Sequence, residues 1–334
     1  MTADTSDHTA PPLRPAVARR RRRPPLSLLG VVVSVVALAG VAWWASHQKA
    51  PQLPHTPREL LALAGAICCY GLATLVRAER WQRLLTDEGA KPSRADTYAL
   101  NCIGYMGNNV LPARGGDVIR VVLAAPRAQT SKRTVVGTLV AERILDVAVL
   151  VVMLVVVGWG LLGDVGGGKV EIIVAAIVVA ALAAWLAWRF IERNERLHEA
   201  IAPIASATLG LRRAHHGLRL LAMTIVIWSI EAATWMLVGA AVHFGMTPIE
   251  AAYLVALSSV FAMIPSGPAY AGTQDAAVAI GIKALGGTGG TAVAYLLMLR
   301  FVIVVPITLV GFGLLIARYG GLARLRGLRS ATRE

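Results

Sequence analysis

From Leu26 to Ser46 the chain carries no charged residue, and from Thr291 to Ala317 it carries one, Arg300. Stretches of this kind match the roughly 20 apolar residues that an α-helix needs to cross a hydrocarbon core of about 30 Å. Inside a bilayer every backbone N–H and C=O must be satisfied within the protein, so these stretches are read as helices. The whole chain agrees. Of its 334 residues 56% are hydrophobic and 16% are charged, against about 45–50% and 25% in soluble domains. This excludes an ordinary soluble enzyme, a disordered protein and a disulfide scaffold. Cys68, Cys69 and Cys102 lie in apolar runs without metal or disulfide spacing, and the adjacent His215 and His216 would point about 100° apart on a helix.

Residues 1–25 are rich in Pro and Arg, with Arg19 to Arg23 in one run, and read as a disordered basic tail. The first span is 26–46, ending in an interfacial belt of Trp43 and Trp44; a cleaved leader is disfavoured because no small-x-small site follows Trp44. A second span runs from Glu59 to Val76. After it Trp81, Leu84 and Leu85 share one helical face with Arg80 and Arg83 turned away, which predicts a helix lying in the headgroup layer. Residues 95–125 are apolar but hold Asp96, Asn101, Asn108 and Asn109, and break at Leu111-Pro112-Ala113-Arg114-Gly115-Gly116-Asp117; they read as a re-entrant hairpin. A third span follows at 134–162, then a Gly-rich turn at 163–169, a linking span at 170–188 and a polar loop at 189–219. The fifth span is 220–244. Residues 251–285 are again two short apolar pieces, broken between Pro265 and Asp275, and 291–317 is the last span before a basic tail at 318–334.

If each broken segment enters and leaves on one side, six spans put both termini on one face. That face holds 27 of the 33 Lys and Arg; the other holds Lys49, Arg58, Lys169 and Lys283, and Arg143 and Arg300 lie within spans. The positive-inside rule then predicts a multi-pass protein of the cytoplasmic membrane with both termini in the cytoplasm. Residues 59–162 and 220–317 each read span, hairpin, span, in opposite orientations. The expected fold is an all-α polytopic membrane protein of six transmembrane helices plus two opposed re-entrant helical hairpins in an inverted-topology repeat, an arrangement that points to a substrate site at the midplane. The halves echo each other locally: Leu111-Pro112 with Gly115, Gly116 and Asp117 against Ile264-Pro265 with Gly267, Gly272 and Asp275. Matching Val157-Gly158-Trp159-Gly160 to Val310-Gly311-Phe312-Gly313 leaves Arg143 and Arg300 one helical turn apart.

Ionisable residues inside a membrane cost about 2.5–3.5 kcal/mol each on insertion scales and are candidates for function. Here they are Glu142, Arg143, Asp146, Glu231, Asp275 and Arg300, with Arg114, Asp117 and Arg120 at the first hairpin. Glu142 and Asp146 are four residues apart on one helix face and call for a cation, which Arg114 or Arg120 can supply. Glu231 and Arg300 sit at similar depths and are expected to pair. Arg114 beside Gly115 and Gly116 suits an anion, the glycines admitting close backbone N–H groups and the guanidinium offering a fork to phosphate. The alternative for each is structural: salt bridges that pin hairpin to span, or an ordinary turn. Arg19 to Arg23 read as a topogenic or lipid-binding run and not as a nucleic-acid site. No Walker A motif is present, no cofactor or metal is expected, and no polar stretch approaches the ~50-residue minimum of a soluble domain.

The ordered set Arg77-Ala78-Glu79-Arg80-Trp81, Asn109 to Arg120, Glu142-Arg143-Ile144-Leu145-Asp146 and Pro265 to Asp275 resembles the lysylphosphatidylglycerol synthase transmembrane region family of flippase-like membrane proteins. The resemblance covers most of 58–317. That family tends to read Pro-Gly and Glu in its second hairpin, where this chain has Gly267-Pro268 and Asp275, which keeps the charge with a shorter reach. The resemblance implies movement of a lipid or lipid-linked headgroup between leaflets, without the aminoacyl-transfer domain of bifunctional members. The expected function is therefore a lipid flippase and not an enzyme. Its expected partners are membrane lipids, anionic or phosphate-bearing, and a separate lipid-modifying enzyme. Two alternatives stand: an intramembrane enzyme acting on a lipid or polyprenyl phosphate, with Ser266 as the one tempting nucleophile, or an accessory subunit of a glycosyltransferase or synthetase.

Overall fold

The computed structural model describes residues 36, 38–111, 114–162, 214–262 and 268–320. The tail 1–25, most of the span 26–46, the turn and span at 163–188, nearly all of the loop 189–219 and the tail beyond 320 lie outside the described residues. So do Pro112, Ala113 and 263–267. Every described element is helical: a segment at 38–46, then α1 (Pro57–Asp87), α2 (Arg94–Val110), α3 (Gly115–Arg127), α4 (Lys132–Leu162), α5 (Ala214–Ala241), α6 (Pro248–Phe261), α7 (Thr273–Ala284) and α8 (Gly289–Tyr319). A 3-10 turn, Pro268–Tyr270, precedes α7. Among the described residues, three helices are long and apolar enough to cross a membrane: Pro57–Asp87, His215–Ala241 and Gly289–Tyr319.

Local chemistry sets the helix starts. Thr56 and Thr247 each cap a helix that has Pro at its first position, and Glu59 and Glu250 return a carboxylate to the cap backbone, so two orphan N–H groups are satisfied reciprocally. Ser93 and Thr288 cap α2 and α8.

α1 overturns one expectation. Residues 77–85 do not form a separate helix in the headgroup layer; they continue α1 without a break. Trp81 is 0% exposed and Arg80 is 1% exposed. At helical spacing Arg77, Arg80, Trp81 and Leu84 extend the stripe begun by Ala66, Ala73 and Thr74, and that whole stripe is buried. The arginines turn inward because carboxylates meet them there.

α1 and α5 run antiparallel along their full length. Glu59 meets His243 at 3.0 Å, Arg77 meets Glu231 at 2.8 Å and Asp87 meets His216 at 3.3 Å. α2 and α8 are likewise antiparallel: Asn109 donates to Thr308 at 3.0 Å at one end, and Tyr319 donates to Asp96 at 3.3 Å at the other. One end of the bundle thus collects Arg83, Arg94, Arg127 and Arg318 around Glu79 and Asp96. The opposite end holds Glu59, His243, and Lys283 over the Trp44 ring.

α2 and α3 form a hairpin whose open end lies at the Arg-rich end, where the Lys91 N–H donates to the Ala128 carbonyl at 2.9 Å. α6 and α7 form a second hairpin that opens at the opposite end, where Gly287 N–H donates to the Ile282 carbonyl at 2.9 Å and Phe244 lies close by. The helix contacts of the two halves match: α2 packs on α8 and α6 on α4, α3 on α4 and α7 on α8, α1 on α2 and α5 on α6.

The first hairpin closes through glycine. A Cβ on Gly116 would meet the Asn108 amide nitrogen at 2.6 Å and collide with the Gly104 carbonyl oxygen. Gly116→Ala is expected to lower stability by about 1–3 kcal/mol, because the clash is with backbone and must be relieved by spreading the helices. Gly65→Ala is the comparison: its Cβ would meet Leu237 at an ordinary 3.5 Å. Thermal unfolding of both variants in detergent checks this; equal midpoints would show that the hairpin yields freely.

Candidate functional site

The two hairpin tips meet. Arg114, at the tip of the first, donates to the Ala262 carbonyl at 3.4 Å and lies 5.3 Å from the centre of the Tyr270 ring, both at the tip of the second. Arg114, Ala269 and Tyr270 have φ of 54°, 53° and 57°. Left-handed backbone costs a non-glycine residue about 1–2 kcal/mol, so three such residues in mutual reach are held there by their surroundings. Arg300 does part of the holding: its guanidinium donates to the Ala269 and Tyr270 carbonyls and pairs with Asp275 at 2.6 Å.

Beside the tips lies a cavity of about 310 Å³. Its charged lining is Arg77, Arg114, Arg143, Asp146 and Glu231; Asn108, Asn109, Ser259 and Gln274 add neutral polar groups, and Tyr70, Tyr105, Trp228, Trp235 and Tyr270 add aromatic faces.

Around the cavity lie an ionic network and one separate pair, Arg77 with Glu231. Arg80 donates to Asp146 at 2.8 Å and to the Thr224 hydroxyl at 2.7 Å, with Glu142 at 3.9 Å. Arg120 donates to Glu142 at 3.0 Å and stacks 3.9 Å from the Trp81 ring centre. Arg143 reaches Asp146 at 3.8 Å and Asp117 at 3.9 Å, and Asn108 donates to Asp117 at 3.4 Å. Arg77 is shared between Glu231 and the face of Trp228. Desolvation offsets most of the attraction in such pairs, so the network adds little net stability, while loss of a member strands any partner that has no other close counter-charge.

Charge is not balanced in this set. Arg77, Arg80, Arg114, Arg120 and Arg143 face Asp117, Glu142, Asp146 and Glu231, leaving one positive charge in excess. Each of those carboxylates has an arginine within 4.0 Å. Arg114 has no carboxylate in that range among the described residues, and it fronts the cavity.

Several expectations are placed differently. Glu231 pairs with Arg77, and Arg300 pairs with Asp275. The expected Glu231–Arg300 pair fails because depth along a span does not fix which way a side chain turns, and both residues have closer partners. Arg120 does supply a cation to Glu142, but the cations on Asp146 are Arg80 and Arg143 and not Arg114. Gly115 and Gly116 open α3, and at Gly116 the Gly104 carbonyl and Asn108 leave no room for a Cβ, so this glycine lets the two helices of the hairpin close. Asp117 and Asp275 occupy the third position of α3 and α7, and each is met by an arginine from the following long helix, Arg143 and Arg300. The one-turn offset of these arginines in sequence does not prevent equivalent contacts.

Sequence reasoning missed Arg77 and Arg80. Their signal was spacing: both continue the small-residue face of α1 toward Trp81 and Leu84. Ser266, the nucleophile of the enzyme alternative, lies outside the described residues. Among the described residues no group of His, Cys, Asp and Glu is arranged to hold a metal ion.

A family model described as the lysylphosphatidylglycerol synthase TM region matches residues 27–311. No curated protein and no solved structure matches the chain.

Proposed function

Since the chain belongs to the lysylphosphatidylglycerol synthase transmembrane-region family, and is thus a membrane-embedded protein tied to lipid handling, we propose that it moves a phospholipid or lipid-linked headgroup across the cytoplasmic membrane. The observation that carries this reading is the cavity at the meeting point of two hairpins that open at opposite ends of the bundle. Paired broken segments in inverted repeats build midplane substrate sites in transporters. The matching helix contacts of 57–162 and 214–319 support such a repeat, with the hairpins re-entrant and six helices spanning. The Arg-rich end, with Arg83, Arg94, Arg127 and Arg318, is the cytoplasmic one on this reading.

Arg114 holds the phosphate. Its one hydrogen bond among the described residues is a long one to a carbonyl, so a ligand phosphate outcompetes it. Exchange of the tips around that bound headgroup would open the cavity to one leaflet and then to the other. Arg114→Ala is expected to slow translocation of a fluorescent phospholipid in proteoliposomes by roughly tenfold or more, the worth of one charge-assisted hydrogen bond. Its unfolding midpoint should stay close to wild type, since no carboxylate is stranded. Full translocation by the variant would remove Arg114 from the mechanism.

A further inference from the structure

We infer that this site selects an anionic phosphodiester lipid with a hydroxyl-rich headgroup over one bearing an amine. The inference rests on the transport reading only in using the same cavity.

Three observations carry it. First, an ammonium headgroup is held best by a free carboxylate, and Asp117, Glu142, Asp146 and Glu231 are each already engaged by arginine. The surplus charge is a cation, Arg114, and one excess positive charge matches one phosphodiester. Second, the indole N–H groups of Trp228 and Trp235 and Oε1 of Gln274 are buried without a partner among the described residues, and all three residues line the cavity. Two donors and an acceptor between aromatic faces are the complement of a polyol or sugar ring, whose hydroxyls both donate and accept while its C–H faces pack on π-systems. Third, the cavity's volume of about 310 Å³ is at the low end of the roughly 300–1,000 Å³ of ligand pockets, room for a headgroup and not for acyl chains.

The chains have their own place. A groove of about 580 Å³ runs along α4, lined by Val136, Leu139, Val140 and Val147. Arg114 and Arg143 border both groove and cavity. Ile144, also in the groove, is 47% exposed on this flank. A lipid with its phosphate at these arginines would send its headgroup into the cavity and its chains along the groove. That continuity favours a lipid over a free sugar phosphate.

Native mass spectrometry of the full-length protein in detergent, with competing ligands, tests this. Phosphatidylinositol is expected to bind about tenfold more tightly than phosphatidylethanolamine, and measurably more tightly than phosphatidic acid or soluble inositol phosphate. Equal or better binding of phosphatidylethanolamine overturns the charge selectivity; equal binding of phosphatidic acid overturns the hydroxyl-rich headgroup; equal binding of inositol phosphate overturns the lipid. Arg114→Gln should erase the preference over phosphatidylethanolamine. Trp228→Phe, which keeps the ring and deletes the N–H, should erase only the preference over phosphatidic acid; preferences unchanged in both variants overturn the assignment. Selective binding without translocation in proteoliposomes would sink the transport reading and leave this one, whereas equal translocation of phosphatidylinositol and phosphatidylethanolamine would do the reverse.

Discussion

Arg80→Ala is expected to destabilise the protein by about 3–5 kcal/mol, the cost of breaking a buried ion pair by deleting one partner. Arg80 is 1% exposed and its guanidinium serves Asp146, Thr224 and Glu142 together. Without it Glu142 keeps Arg120 at 3.0 Å, but Asp146 keeps, among the described residues, only Arg143 at 3.8 Å. The stranded charge is therefore that of Asp146, in the wall between network and cavity. Arg80→Lys should be intermediate, because a single ammonium cannot span three acceptors in the plane that the guanidinium covers. Arg80→Met combined with Asp146→Leu should recover much of the loss, since an apolar pair of similar volume removes the desolvation cost with the attraction. Unfolding of the three variants in detergent checks the order. If Arg80→Ala unfolds with the wild type, Arg80 is hydrated in the membrane and the network is not a buried one.

The all-helical fold was legible because hydropathy reports length and apolarity directly, and those decide what crosses a bilayer. The family was legible from ordered motifs around Arg114, Glu142 and Asp275. Contacts across the chain were not. Arg77 and Arg80 look like exposed cations while the only visible partners are neighbours such as Glu79. Their actual partners lie 154 and 66 residues away, on α5 and α4. An apolar face made of Trp81, Leu84 and Leu85 reads the same whether it meets lipid headgroups or protein, because periodicity gives a direction and not what lies in that direction. The same gap undid the Glu231–Arg300 pair. The distribution of basic residues also changes in meaning: Arg77, Arg80, Arg114 and Arg120 belong to the network and cavity, so the asymmetry behind the expected orientation rests on the remaining basic residues of that face.

Arg300 and Arg143 hold equivalent places in the two halves, and their removal is expected to have opposite signatures. Arg300 touches Asp275 through two nitrogens and fixes the carbonyls of the left-handed Ala269 and Tyr270. Asp275 has no second cation among the described residues; it also accepts the Gly272 N–H at 2.9 Å. Arg300→Ala then strands a carboxylate that is largely buried and releases a strained turn. We expect about 3 kcal/mol of lost stability, the low end for a broken buried pair because the Arg300 side chain retains 23% of its exposure. Arg300→Lys should restore little, since the carbonyls and the carboxylate need the planar fork. Arg143 differs. Its partners stand at 3.8 and 3.9 Å, its side chain is 42% exposed, Asp146 keeps Arg80, and Asp117 keeps Asn108 and Arg120. Arg143→Ala should cost about 1 kcal/mol or less, as for a loosely held and partly exposed pair. It borders both cavity and groove, however, so its loss should slow translocation well beyond what its stability change explains. Unfolding midpoints and proteoliposome rates for both variants separate the cases. The outcome that sinks this division is Arg143→Ala unfolding as readily as Arg300→Ala while both translocate lipid at the same rate: the two arginines would then be interchangeable clamps, and the cavity would owe nothing to Arg143.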